Sequence, residues 1–182
     1  MALPAGVAAQ VGMKAESVYG TAVTVDRFYE FESESIRTDV VTVRGNHLGT
    51  GRFRRTDRRK QVIRGARGTI DFLVMNKGFG LLFQHALGQN TVTGSNADKT
   101  HTCIPDAAGK AGKSLTLQVG RPDVGGTVRP FTYEGGKILD WELKVDVDGA
   151  LHFIPTFDFE NVVTDTSLAS ASYPSEMEYF IF

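Results

Sequence analysis

The chain has 182 residues, 41% of them hydrophobic, and its twenty basic and twenty-one acidic side chains leave a formal net charge of −1. That length supports a sizeable core, the charge balance singles out no polyanionic or polycationic partner, and the single cysteine, Cys103, excludes an internal disulfide and a cysteine metal cluster. No apolar run approaches the roughly 20 residues that cross a bilayer, and Met1 to Met13 lacks the basic leader and long apolar core of a signal peptide, so the chain reads as soluble and made in a cytoplasm.

In chain order, Val23 to Phe31 reads as a strand after the turn Tyr19-Gly20-Thr21, and Ile36 to Val43 as a second extended stretch. Residues 45–60 hold few apolar residues of core size, three glycines and many arginines, and read as a long exposed loop; loops of that length are usually functional or disordered. Gly68 to Met75 alternates, with Ile70, Phe72 and Val74 on one face. A helix is predicted over about 76–87, because Phe79, Leu82, Phe83, Ala86 and Leu87 form an apolar stripe. Asn76 is its expected N-cap and Gly88 its left-handed terminator. Residues 89–113 are polar apart from the strand-like His101 to Ile104. Ser114 to Val119 reads as a strand with Leu115, Leu117 and Val119 inward. Thr127 to Tyr133 is another, turned by Gly135-Gly136 into the next.

The clearest pattern lies at Lys137 to Asp148 and Ala150 to Asn161. Odd positions carry Leu139, Trp141, Leu143, Val145, Val147, Leu151, Phe153, Phe157 and Phe159, whereas Asp140, Glu142, Asp146, Asp158 and Glu160 fall on even ones. Period-two alternation marks strands with one buried and one wet face. Buried side chains of this size contribute roughly 1.5–3 kcal/mol each, and unpaired carboxylates are too costly to bury. The core is therefore expected to include Trp141, Leu143, Val145, Phe153, Phe157, Phe79, Leu82 and Phe83. A two-residue turn at Asp148-Gly149 would pair odd with even positions. A three-residue loop Val147-Asp148-Gly149, with Gly149 left-handed, pairs Leu143 with Phe153 and Val145 with Leu151.

Closely spaced strands with short turns predict a mainly β fold, a sandwich or partial barrel. The apolar ending at Tyr179 to Phe182 would be a sticky edge if exposed, so it is paired within the fold, paired with a neighbour, or the start of a further region. Enzyme signatures are missing: there is no zinc-ligand spacing, phosphate loop or nucleophile elbow. His47, His85, His101 and His152 are scattered and read as surface or partly buried, Cys103 reads as a packed thiol, and no metal or cofactor is expected. The acids form a regular row rather than a convergent pair, which argues against glycosidase chemistry.

Charge is nevertheless segregated. From Arg52 to Arg67 there are eight bases and one acid; from Asp140 to Glu178, nine acids and one lysine. Arg52, Arg54, Arg55, Arg58, Arg59 and Lys60 could grip phosphates, but only Phe53 interleaves as an aromatic. A merely solvated loop is the bland alternative; contact with an acidic surface on another subunit, for which Asp26, Glu30, Glu32 and Glu34 are a match, is the favoured reading.

Several segments taken in order resemble the tail tube (major tail) proteins of long-tailed bacteriophages. They are Lys14 to Thr21, Phe28 to Glu34, Gly65 to Met75 running into Gly78-Phe79-Gly80-Leu81-Leu82, Ser114 to Pro122, Phe131 to Lys137, and Trp141-Glu142-Leu143. The resemblance implies one domain over 1–182: two roughly orthogonal antiparallel sheets with a flanking helix, an N-terminal arm (about 1–13) and an inter-ring loop (about 45–60). It implies hexameric rings that stack into a tube in the virion tail, assembled in the host cytoplasm. Tape-measure protein would fill the lumen, tail terminator and distal tail proteins would close the ends, and double-stranded DNA would pass through. No catalytic residue and no membrane partner is implied. The even-position acids Asp140, Glu142, Asp146, Asp158 and Glu160 then face the lumen. A monomeric β-sandwich module that binds carbohydrate or nucleic acid is the alternative.

Overall fold

The structure, a computed structural model, describes residues 6–44, 59–95, 99–111 and 113–181. A 3-10 turn at Gly6–Ala8 leads to β1 (Gln10–Ala15), β2 (Arg27–Tyr29), β3 (Ser33–Glu34), β4 (Arg37–Arg44) and β5 (Arg59–Leu73). Then come α1 (Gly80–Leu87), β6 (Gly88–Thr93), β7 (Thr100–Pro105), α2 (Ala107–Lys110), β8 (Leu115–Pro122), β9 (Val128–Val145), β10 (Leu151–Phe159) and β11 (Asn161–Val163). The fold is mainly β, as expected. Its nine-stranded antiparallel sheet runs β2-β1-β8-β9-β10-β5-β3, with β11 added to β9 and β4 to β5; β6 and β7 form a separate pair.

The two expected sheets are thus one continuous sheet, and β9 is the reason. Its first half pairs with β8, from Pro122↔Val128 to Leu115↔Gly136, and its second half with β10, from Asp158↔Lys137 to Leu151↔Val145. Gly135-Gly136, read as a turn, is instead a bend inside a single 18-residue strand. Gly135 has φ 65, and a Cβ on Gly136 would sit 2.5 Å from the Phe159 ring and 2.8 Å from the Leu115 carbonyl oxygen. Only glycine permits that approach of backbone to neighbour.

Glu16 braces this bend. Its carboxylate accepts hydrogen bonds from Gly135 N (3.0 Å), Thr116 Oγ1 (2.9 Å), Ser114 Oγ (2.6 Å) and Gly20 N (3.0 Å). One side chain after β1 thereby ties together β8, the kink of β9 and the Tyr19-Gly20 turn.

Around the kink lies a single core. Val11, Met13, Leu115, Leu117, Val119 and Tyr133 come from the β1-β8-β9 side; Ile70, Phe72, Phe153, Phe157 and Phe159 from the β5-β10 side. Aromatic contacts cross between the sides, as at Tyr133–Phe159 (5.0 Å between centroids) and Tyr29–Phe72 (5.7 Å). Phe79 and Leu82 are buried as predicted, and Phe83 packs against the core.

Local structure departs from the sequence reading at several points. Within the segment expected as an N-terminal arm (about 1–13), Gln10 to Met13 belong to β1, which lies between β2 and β8. The expected strand Val23 to Phe31 reduces to Arg27–Tyr29. α1 starts at Gly80 with Phe79 as N-cap. Asn76 instead anchors the chain end, its N–H donating to Glu178 O and its Oδ1 accepting from Glu178 N. Gly88 ends α1 as predicted, with φ 113. It also opens β6, a strand the polar composition of 89–113 concealed. The chain end pairs within the fold through Met75↔Tyr179 and Ala150↔Ile181. Of the predicted loop over 45–60, Arg59 and Lys60 are strand residues of β5; residues 45–58, with Arg52, Arg54, Arg55 and Arg58, lie outside the described residues.

His85, expected at the surface or partly buried, is only 7% exposed. Burial, with Lys113 nearby, lowers its pKa from the ordinary 6.5 to about 4. The unfolded imidazole gains its proton below about pH 6.5 while the folded one resists to about pH 4. Its stabilising contribution is therefore complete above 6.5 and is lost as pH falls through that window, by up to about 3 kcal/mol. Urea unfolding of the wild type near neutral pH and near pH 4 should show this loss, and His85→Gln should remove most of the difference. Equal pH sensitivity in both proteins would contradict it. In the same assay, Glu16→Ala should destabilise the chain by about 2–4 kcal/mol, since it leaves several donors without their charged acceptor. A change within surface-site scatter would show that Glu16 does not brace the kink.

Candidate functional site

The β9–β10 hairpin has the register the parity argument demanded: Leu143 faces Phe153 and Val145 faces Leu151. The left-handed residue, however, is Asp148 (φ 60), not Gly149, and Gly149 N donates to Asp146 O at 3.0 Å. Aspartate tolerates that conformation. Further along, Thr156 pairs with Asp140 but Phe157 with Ile138, so Leu139 is an extra residue in β9. This bulge reverses the parity. It turns Ile138 into the core and leaves Leu139 half-exposed.

Phe153 and Phe157 are fully buried, but three residues expected in the core are not. Trp141 is 37% exposed, Leu143 45% and Val145 42%. They share a face with Phe153, and Trp141 packs on it at 6.1 Å between centroids, yet the hairpin reaches beyond the cover that α1 supplies. Between them lies an apolar groove of about 380 Å³, lined by Phe83, Leu87, Cys103, Trp141 and Leu143. Burial raises the Cys103 thiol pKa, which disfavours the reactive thiolate.

The five predicted acids do not form one uniform row. Asp140 and Glu142 are exposed neighbours on the wet side of β9. Asp146 lies near the turn, 3.6 Å from Lys144. Asp158 stands in register between Lys137 on β9 and Arg67 on β5. Glu160 follows β10 and, with Asp158 and Glu16, contributes to raising the Tyr19 pKa, after desolvation. The wet face is therefore acidic but interleaved with bases.

The proposed acidic complement is also partly engaged within the chain. Glu34 takes a bidentate contact from Arg121, at 2.7 and 2.8 Å, and Arg121 also lies 4.5 Å from the Phe131 ring centroid. Asp26 pairs with Lys14 at 2.8 Å. Glu30 and Glu32 are exposed.

The four-strand portion β9-β10-β5-β4 has an edge on each side. Among the described residues, β4 pairs only with β5, and β9 beyond Gly136 only with β10. The β9 edge carries Asp140, Glu142 and Asp146. The β4–β5 arm carries Arg37, Arg59, Lys60 and Arg67, all exposed, together with half-exposed Val40, Val43 and Val62. Arg59 and Lys60 are strand residues here. This asymmetry was visible in the charge segregation of the sequence, whereas the open edges required the topology.

A family model described as phage tail tube protein matches residues 6–180. No curated protein matches the chain. Among solved structures, the SPP1 tail tube, determined by solid-state NMR and cryo-EM, is similar with a TM-score of 0.48 and 9% identity, covering 88% of this chain and 78% of that one. The anti-feeding prophage baseplate gives 0.41 and 9%, covering 85% and 90%. An Hcp protein crystal structure gives 0.38 and 12%, covering 85% and 89%. With a match that runs nearly end to end, the chain belongs to the phage tail tube protein family, whose members are structural proteins and not enzymes.

Proposed function

We propose that this chain forms hexameric rings that stack into the tube of a phage tail, with the wet face of β9 and β10 lining the lumen. The observation that carries this reading is a four-strand sheet with two open edges of opposite charge. Such edges are a liability in a monomer. Joining the acidic β9 edge of one copy to the basic β4 edge of the next satisfies both, and a head-to-tail contact of that kind closes into a ring. It also gives the half-exposed Trp141, Leu143 and Val145 a place to be covered. Arg59 and Lys60 stand on the β4–β5 arm, and the basic run Arg52, Arg54, Arg55, Arg58, Arg59 and Lys60 serves contact with a neighbouring subunit or ring.

In that arrangement Asp140 and Glu142 sit on a wall past which DNA moves, after tape-measure protein has occupied the lumen during assembly in the host cytoplasm. Tail terminator and distal tail proteins cap the stack. Like charges hold phosphate off the wall. Two unit charges about 10 Å apart in water repel by only about 0.4 kcal/mol before screening, so a ring of them does not oppose closure. The interleaved Lys144, Lys137 and Arg67 lower that repulsion further. A monomeric carbohydrate module is less favoured: Phe153, Phe157 and Phe159 are buried, and Trp141 alone of the four hairpin aromatics is half-exposed, short of a stacking platform.

Electron microscopy of the purified protein should show rings or tubes with a lumen of DNA width. Trp141→Ser combined with Leu143→Ser should cost about 1 kcal/mol at each half-exposed site, leave the circular dichroism of the folded chain intact, and abolish ring formation. Normal rings from that variant would refute the edge assignment. Asp140→Lys with Glu142→Lys should fold, but at low salt the reversed β9 edge repels the basic β4 edge and rings close poorly; tails assembled at high salt should release DNA slowly once returned to low salt. Normal ring closure at low salt would show that charge does not match the two edges, and unchanged release would show that wall charge is not what frees the passage.

A further inference from the structure

Glu32, Asp71 and His152 come from three separate stretches of sequence and meet on the outer face of the sheet. Asp71 lies on β5 and His152 on the adjacent β10, where His152 is in register with Leu73. Glu32 immediately precedes β3, and its N–H donates to the Asp71 carbonyl at 2.9 Å; the next residue, Ser33, is paired with Asp71. His152 Nδ1 is 2.9 Å from Asp71 Oδ1. One donor atom from each of the three side chains lies within 4.8 Å of the other two.

We propose that these three residues bind a divalent transition-metal ion of the zinc class. Three arguments support the site beyond proximity. The donor set is one imidazole and two carboxylates, which suits zinc and its neighbours, whereas calcium and magnesium favour all-oxygen sites. Two of the ligands stand on neighbouring strands in fixed register, so little order has to be imposed when the ion arrives. Finally, two carboxylates this close repel each other, and a dication reverses that repulsion. Asp71 and His152 are half-buried and Glu32 is exposed, which leaves the ion open on one side for water. Binding fastens the segment entering β3 to the face of β5 and β10. The site itself is independent of assembly. Its position on the tube wall, and hence a ring of six ions, rests on the proposed function.

The test uses the full unassembled chain, so a failure here is separable from a failure to form tubes. Titration calorimetry with zinc chloride should show one ion per chain, zinc should raise the melting temperature, and cobalt(II) should give a visible absorption band. His152→Ala should weaken binding by roughly a hundredfold or more and Glu32→Gln by at least roughly tenfold, since even residues that only support metal ligands cost about 10–100-fold when replaced. Glu30→Gln and Cys103→Ser should leave it unchanged. Asp71→Asn, which preserves shape and a hydrogen-bond partner for the imidazole, repeats the test should His152→Ala not fold. No binding by wild type at millimolar zinc would overturn the proposal. So would undiminished binding by His152→Ala, or loss of binding in Cys103→Ser.

Discussion

β9 has to serve two sets of neighbours, and the rest of the molecule depends on how it does so. An unbroken strand of ordinary twist could not follow β8 and then β10 around a shared core. Two local devices solve the problem. Gly135-Gly136 removes the side chains that would collide with Phe159 and Leu115, and the extra residue at Leu139 resets the parity so that Ile138 enters the core. Bulges and glycines bend a strand without ending its ladder. The hydrogen bonds converging on Glu16 hold the bend in place from β1 and β8. Because the two halves share one strand, neither set of core residues can pack without the other, which couples their folding.

Much of the fold was legible because burial writes a period-two pattern. Leu115, Leu117 and Val119 were read inward and are fully buried, as are Ile70 and Phe72. The hairpin register followed from parity alone. What escaped the sequence shares a physical cause: it depends on neighbours distant in the chain. Gly135-Gly136 has the composition of a turn, and only the continued ladder on both sides shows that the strand does not reverse. Asn76 has the chemistry of an N-cap, but Glu178 recruits its side chain elsewhere. Thr116 and Gln118 are polar yet buried, since each finds a partner, Thr116 in Glu16 and Gln118 in Thr132. His85 lay off the apolar stripe of α1, and is buried nonetheless because α1 packs against β9 and α2 together. The Glu32, Asp71 and His152 cluster is invisible in sequence, its members separated by 39 and 81 residues (32 to 71, and 71 to 152).

The candidate site was legible in a different sense. The basic run and the acidic half of the chain announce two surfaces of opposite sign, but not where they lie. Among the described residues, the topology puts Arg59, Lys60 and Arg67 on β5, next to the β4 edge, and Asp140 and Glu142 on β9 at the other edge. It also corrects the acidic face. Asp158 stands in register with Lys137 and Arg67 and Asp146 lies beside Lys144, so the exposed acids of the hairpin are offset in places by cations. The field of such a face is weaker than the composition suggests, and more local.

The misplaced core residues carry the most general lesson. Trp141, Leu143 and Val145 follow the alternation as faithfully as Phe153 and Phe157, yet remain 37–45% exposed. Alternation records which side chains are removed from water in the state that selection acts on, and that state need not be a single chain. For a protein that lives as a monomer, a strand with its apolar face left half-wet at an open edge is an aggregation hazard. For a subunit of a tube it is a joint, held ready by the same hydrophobic free energy that packs the core. Exposed apolar side chains occur elsewhere too, but at the hairpin edge and the β4–β5 arm they sit on strands whose outer side has no partner strand among the described residues. A sequence that encodes more burial than its own fold uses points to another copy as the source of the remainder.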